Sequence, residues 1–526
     1  MSAAKPIAMN WMDRVAATLS PRWGWQRLAY RQALASAGYE GGRVSRLRKP
    51  MRDSRGPDQI VASASIQTRN YARHLERNHD LARGALRVMV RNIVGANGIS
   101  VEPMPRDVSG KVHTDFADQI LRLQKAWARR PEVTAAMDWP MAQRKACLSW
   151  LRDGEEFTQM IAGSVPGLRH GSPVPFSLEL LEADMVPLDY EDIGLNIVQG
   201  IRCNTWGQKT GFFVYKQHPQ QGYGLSMLGD LKEVGSERML HLALTDRLHQ
   251  RRGITLFAAC INVLEDIKDI KEFELAAAKI AGALTAVITR TDMDAPSGGA
   301  SRTSDVGREL MRLEAGMIYD GAQPGEGITI VDSKRPNTAL ESFIDFNVRN
   351  FAAGIDGSFS SISRNYNGTY SAQRQELVEV WESYRTLRGE LVGQFNRPVY
   401  EQLVATAIAA GLLKVPSNID PFSLFDAEFR GPAMPWIQPV QEANGELIKV
   451  RAGFKSLTQV VRENNGDPWE TIDQLAEERR YAGQQGVRLL CDPANDRSAS
   501  DTSPTGDEPP AAPTPRSSLN GFSGVH

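Results

Sequence analysis

Cysteine pairs are missing from this chain: Cys147, Cys203, Cys260 and Cys491 lie far apart and no CxxC occurs. That excludes a disulfide framework or a cysteine zinc site and makes a reducing cytoplasm the expectation. Long apolar runs are missing too. No stretch approaches the run of about 18 residues that a membrane-spanning helix needs. The opening MSAAKPIAMNWMDRVAATLS has no continuous apolar segment ahead of a small-residue cleavage site, so no secretory signal is expected. A net charge is also lacking, at −1 over 526 residues.

Catalytic signatures are absent in the same way. VSGKVHT at 108–114 is the one Gly-Lys candidate for a phosphate loop, but Pro105 stands where glycine is required and Val112 where serine or threonine is. No GxSxG, HExxH or EF-hand loop occurs. His241, Asp246 and His249 form a conceivable metal trio, outweighed by ordinary surface or hydrogen-bonding roles. Asp292 and Asp294 sit in a Gly/Ser-rich stretch and read as solvated acids. No cofactor, metal or catalytic residue is expected.

What is there is a pattern of elements. Residues 1–58 hold 11 Lys/Arg against 4 Asp/Glu, with Arg43, Arg46, Arg48, Lys49, Arg52 and Arg55 close together. A nucleic-acid-binding arm is one reading, and a solvated, poorly ordered extension the favoured one, because no aromatic interrupts the cluster. Helical periodicity follows over 65–94, 115–130 and 141–152, the last stopping at Gly154. The period then changes to two in FTQMIAG, FSLELLEAD, NIVQGIRCN, GFFVYKQH and ERMLHLAL, which predicts short strands and an α+β body.

Beyond this body, 257–287 predicts a helix of about 45 Å, and a second helix carries Leu340, Phe343, Ile344, Val348 and Phe351. They bracket a small β-type excursion at 288–336. A polar segment, 357–371, leads into the helical pattern of Leu377, Val380, Trp381, Tyr384, Leu387, Leu391 and Phe395, interrupted near Pro398. The segment is a loop by composition, with Ser360, Ser361, Ser363, Asn365, Asn367 and a single charge, Arg364. Near the end, Asp467 and Pro468 predict a capped helix start, and 491–526 is too rich in Pro, Ser and Asp to order itself.

In this order the pieces resemble the lambda-type portal proteins of tailed bacteriophages. The likeness lies in RNYARHLERNHDLARGALRVMVRNIVGANGISVEP, HQRRGITLFAACINVLEDIKDIKEFELAAAKIAGALTAVI, PGEGITIVDSKRPNTALESFIDFNVRNFAAGI, TYSAQRQELVEVWESYR and AGFKSLTQVVRENNGDPWETIDQLAEE, and covers about 65–485. The chain departs from the family pattern where Ile254, Thr255 and Leu256 stand in place of an early proline, and at Ala372, where a second serine is usual.

The resemblance implies an α+β portal-type subunit. Its parts would be a basic extension (1–58), an α+β wing (59–256), a first stem helix (257–287), a clip (288–336) and a second stem helix (337–356). A tunnel loop (357–371), a long helix kinked near Pro398 (372–413), a helical crown region (414–490) and a disordered tail (491–526) would complete it. It also implies a ring, typically of twelve subunits, at one capsid vertex of the virion, assembled in the host cytoplasm. The ring's partners would be the major capsid protein, the terminase large subunit, head–tail connector proteins and the double-stranded DNA in its channel. No membrane is involved. Ser361, Ser363, Arg364, Asn365 and Asn367 would face the DNA. A competing expectation pairs Arg364 with Glu376 on the long helix. The alternative function is a nucleic-acid-binding protein working through its basic arm.

Overall fold

The computed structural model describes residues 54–220, 231–282, 286–290, 326–330, 339–464 and 466–487. The basic cluster up to Arg52, most of the proposed clip with Asp292 and Asp294, and the tail at 491–526 lie outside these residues.

The described chain is mixed helix and sheet. Helices α1 (Pro57–Asn78) and α2 (Asp80–Ile93) divide what reads as one helical run. The break is His79, whose backbone is extended. Its Nδ1 accepts from the Leu81 amide, which leaves Nε2–H to donate to the Leu264 carbonyl at 2.9 Å. One side chain thus caps a helix and ties it to a remote element. Strand β1 (Ser100–Pro103), α3 (Thr114–Trp127) and α4 (Trp139–Asp153) follow. Helix α4 stops at Gly154, which takes φ 89°. A Cβ there would lie 2.2 Å from the Ile254 carbonyl carbon, so both the backbone and the packing require glycine.

The strands β2 (Glu155–Ala162), β3 (Phe176–Leu181) and β8 (Met239–Ala243) form an antiparallel sheet ordered β3-β2-β8. A second sheet runs β4 (Ile197–Val198), β5 (Ile201–Cys203), β6 (Lys209–Tyr215), β7 (Leu231–Gly235). Phe157, Ile201, Phe212, Val214 and Val234 make a small core of their own. The main core joins α1 to α4 with later helices. Trp127 stacks on Phe176, and Trp139 stacks on Phe395 at 5.4 Å.

Helix α5 is Ile261–Gly282, shorter at both ends than the 257–287 expected. Residues 256–260 form a turn, and the β-branched stretch beyond the helix becomes β9 (Ala286–Arg290), paired antiparallel with β10 (Glu326–Ile330). Helix α6 (Leu340–Gly354) returns the chain to the body, with Val348, Phe351 and Ala352 buried. The polar segment is not a bare loop: it contains a helical turn, α7 (Phe359–Ser363), whose Ile362 is only 6% exposed in the main core.

Helix α8 (Tyr370–Leu391) and α9 (Arg397–Ala409) are joined through a π-helical turn, Val392–Asn396, in which the Arg397 amide bonds back to the Val392 carbonyl. The proline thus enters a helix that continues past it. Pro398 has no N–H to give, and the widened turn just before it absorbs the misfit. Strand β11 (Ala427–Arg430), within the expected crown region 414–490 of loops and short helices, pairs antiparallel with β1 of the body. The chain then forms α10 (Pro439–Arg451), α11 (Leu457–Glu463) and α12 (Pro468–Gln485), the last capped by Asp467 through the Trp469 and Glu470 amides.

Candidate nucleic-acid interface

Two carboxylates each gather several donors, one in the interior and one, half-buried, beside the proposed site. Glu155, at the head of β2, is fully buried, as is Arg252, which gives it a 2.7 Å ion pair. Arg69 from α1 donates at 2.9 Å, His241 from β8 at 3.0 Å, and the Gly253 amide at 3.1 Å. Arg252 spends its other donors on the carbonyls of Gln199, Ala183 and Val186. Burial would push the Glu155 carboxyl up, but Arg252, His241 and Arg69 outweigh it and hold it well below the usual range. For His241, burial and the neighbouring Lys209 charge lower the pKa to about 3. The ring is therefore neutral, with Nδ1 accepting from Lys209 and Nε2–H donating to Glu155.

This geometry removes the metal trio. His241 is committed inside the fold, whereas Asp246 and His249 are exposed in the following turn. Among the described residues a different group, Glu182, Asp184 and His218, brings ligand atoms together. Asp184 there is already paired with Arg69 and Arg73. The buried cluster was missed in the sequence because Glu155's partners lie up to 97 positions from it. The available signal was the charge-rich RDGEEF and RRG set against apolar neighbours.

The second carboxylate is Glu376, on the second turn of α8. It accepts the Ser358 hydroxyl at 2.8 Å, the Ser360 amide at 3.0 Å and the Ser360 hydroxyl at 2.6 Å. Partial burial raises its pKa and these hydrogen bonds more than reverse that, so its carboxyl sits below the ordinary value. Ser358 is itself buried and caps α7 by accepting from the Ser361 amide. Arg349 lies over the Phe359 ring at 4.9 Å.

Arg364 ends this turn in the left-handed conformation, φ 58°. It is exposed and has no ion pair among the described residues, so the competing Arg364–Glu376 pairing is not formed. Physically, Glu376 has already been claimed by nearer donors. Of the other expected contact residues, Ser361, Ser363 and Asn365 are half-buried and Asn367 is exposed. The Ser363 hydroxyl donates to Phe359 O and receives the Asn365 amide, and the Asn365 side chain receives the Asn367 amide. The structure thus divides the segment into a docked base and an exposed tip that begins at Arg364.

Behind the tip, the long helix is fixed to the body. Arg388 donates to the carbonyls of Ile93 and Asn92 at 2.9 and 2.8 Å, satisfying the end of α2. Gln394, in the π turn, accepts from the Ala243 amide of β8.

The profile of the phage portal proteins, lambda family, matches residues 43–388, more than half of the chain. The chain belongs to that family. A probable portal protein of Halomonas phage phiHAP-1 (isolate -/Gulf of Mexico/-/2001) is 21% identical over 440 residues, covering 82% of this chain and 83% of its own. Among solved structures, the neck of an empty GTA particle computed with C6 symmetry overlays with TM-score 0.41 and 12% identity. The virion of a native gene transfer agent particle gives 0.41 and 13%. Each covers 78% of this chain and 99% of the matched chain, and superpositions this loose support no inference.

Proposed function

We propose that this portal-family chain is a conduit subunit and not an enzyme: copies of it close into a ring at one capsid vertex, and DNA passes through the centre during packaging and ejection. The family match over 43–388 carries the reading. Twelve copies are proposed, contacting the major capsid protein outside, and the terminase large subunit and then head–tail connectors at the clip (288–336). The wing is 59–256, the stems are 257–287 and 337–356, and the crown is 414–490. Assembly in the host cytoplasm precedes incorporation into the virion.

Within this reading the tunnel loop is 357–371 and its DNA-facing residues are Ser361, Ser363, Arg364, Asn365 and Asn367. The exposed, unpaired Arg364 beside neutral polar groups supports that choice. A conduit must touch the duplex without holding it, since every neutralised phosphate adds affinity through counterion release. One arginine per copy gives a ring of weak, screenable contacts. Arg364→Ala should leave rings of normal shape and change the length or retention of packaged DNA, more strongly at low salt. Unchanged packaging and retention across salt would remove Arg364 from the contact set.

A further inference from the structure

We propose that Glu376 is the positioning residue of the channel loop: it docks Ser358 and Ser360 against the long helix and withholds their donors, so that contact with a polyanion is left to the residues from Ser361 onward, with Arg364 their one charge. This rests on the channel reading above.

Ser358, Ser360 and Ser361 together offer hydroxyls and backbone amides of the kind that bind phosphate oxygens. In the structure four of these groups are already bonded within the fold. The Ser358 and Ser360 hydroxyls and the Ser360 amide all end on the two Glu376 oxygens, and the Ser361 amide ends on Ser358 Oγ. Ile362, packed in the main core, adds a second anchor on the same turn. From Arg364 the character changes. The bonds there are local, from the Asn365 and Asn367 amides to side chains two residues back, and from Gln373 Nε2 to the Tyr366 carbonyl at 2.5 Å.

Glu376 would act on DNA in two ways. It occupies donors that would otherwise bind phosphates, and it adds a negative charge behind the loop that repels them. Both keep contact weak, opposite in sign to Arg364. Glu376 therefore limits grip, and Arg364 supplies it.

The test uses the full chain assembled as it is in particles, with Glu376→Ala, Glu376→Gln and Arg364→Ala. In Glu376→Ala, amide hydrogen exchange at Ser360 and Ser361 should quicken by at least about tenfold, as expected for losing hydrogen bonds to a charged acceptor. Exchange in α4 and β2 should not change, which separates undocking from misfolding. Glu376→Gln, which keeps one acceptor oxygen, should quicken exchange less. Ejection of double-stranded DNA should slow in both Glu376 variants and quicken in Arg364→Ala, with the differences shrinking at high salt. Unchanged exchange in Glu376→Ala would overturn the docking role. Quickened exchange with normal ejection, where Arg364→Ala does alter ejection, would overturn the control of DNA grip. Normal ejection in all three variants alongside quickened exchange would instead fail the channel reading and leave the docking contact standing.

Discussion

Glu155 and Glu376 are both carboxylates gathering donors from distant or neighbouring elements, yet they do opposite work. Glu155 is fully buried and holds two arginines, a neutral histidine and an amide drawn from α1, β8 and the approach to α5. Glu376 is half-buried and accepts hydroxyls and backbone amides of one adjacent turn. A buried ion cluster cannot be opened without stranding charge in the interior. A carboxylate bonded to neutral hydroxyls at the surface can be released into water at small cost. The body is locked by the first kind of contact, and the segment proposed to meet DNA is held by the second.

The largest effect should come from breaking the buried cluster. Arg252→Ala leaves Glu155 short of its main partner and should cost about 3–5 kcal/mol, read from denaturant midpoints. Gly154→Ala should be comparably severe, because its backbone is left-handed and a Cβ would meet the Ile254 backbone. A midpoint near that of the unaltered chain for either variant would contradict a locked body.

Acid should act through the same cluster. The His241 pKa is about 3 in the fold, against roughly 6.5 for an unfolded histidine. A depressed value contributes stability that is present above the unfolded pKa and lost as pH falls through the folded one. Thermal midpoints should therefore decline from about pH 6.5 downward, a window set by those two values. Glu156, on the opposite face of β2, has the reverse sign. Burial raises its pKa to about 8, so the stability it favours at low pH is lost as pH rises toward that value. Glu156→Gln should remove the loss of stability between about pH 4.5 and about pH 8, a window that overlaps the upper part of the His241 one, and leave the decline below about pH 4.5 unchanged.

Smaller effects are expected at the loop. Glu376→Ala should lower global stability by only about 1 kcal/mol while freeing its own turn. Arg364→Ala should change stability by less than about 0.5 kcal/mol, the ordinary range for an exposed substitution. If Glu376→Ala instead unfolded the chain as readily as Arg252→Ala, the contrast between the two carboxylates would be lost.

Local chemistry was readable in the sequence. The stop of α4 at Gly154, the Asp467 cap and the alternating strands follow from residues within a few positions of one another. The helical period ahead of Pro398 was equally plain, but the π turn that lets the helix continue was not, because composition does not report which carbonyl an amide selects. The Glu155 cluster was invisible for a different reason. Arg69, His241 and Arg252 are brought to it by sheet register and helix packing, at separations of 86, 86 and 97 positions. At the candidate site, the exposed charge of Arg364 was legible. The competing pairing with Glu376 is not formed, because the serines one helical turn away are nearer donors.

The exposed tip beginning at Arg364 is proposed to line the channel of a closed ring. Electron microscopy of the purified chain at side-chain resolution tests it most directly. A closed ring is expected, with Arg364 on the inner wall and Ser360 still bonded to Glu376. A chain that stays monomeric at micromolar concentration, or a ring with Arg364 on its outer surface, would contradict it.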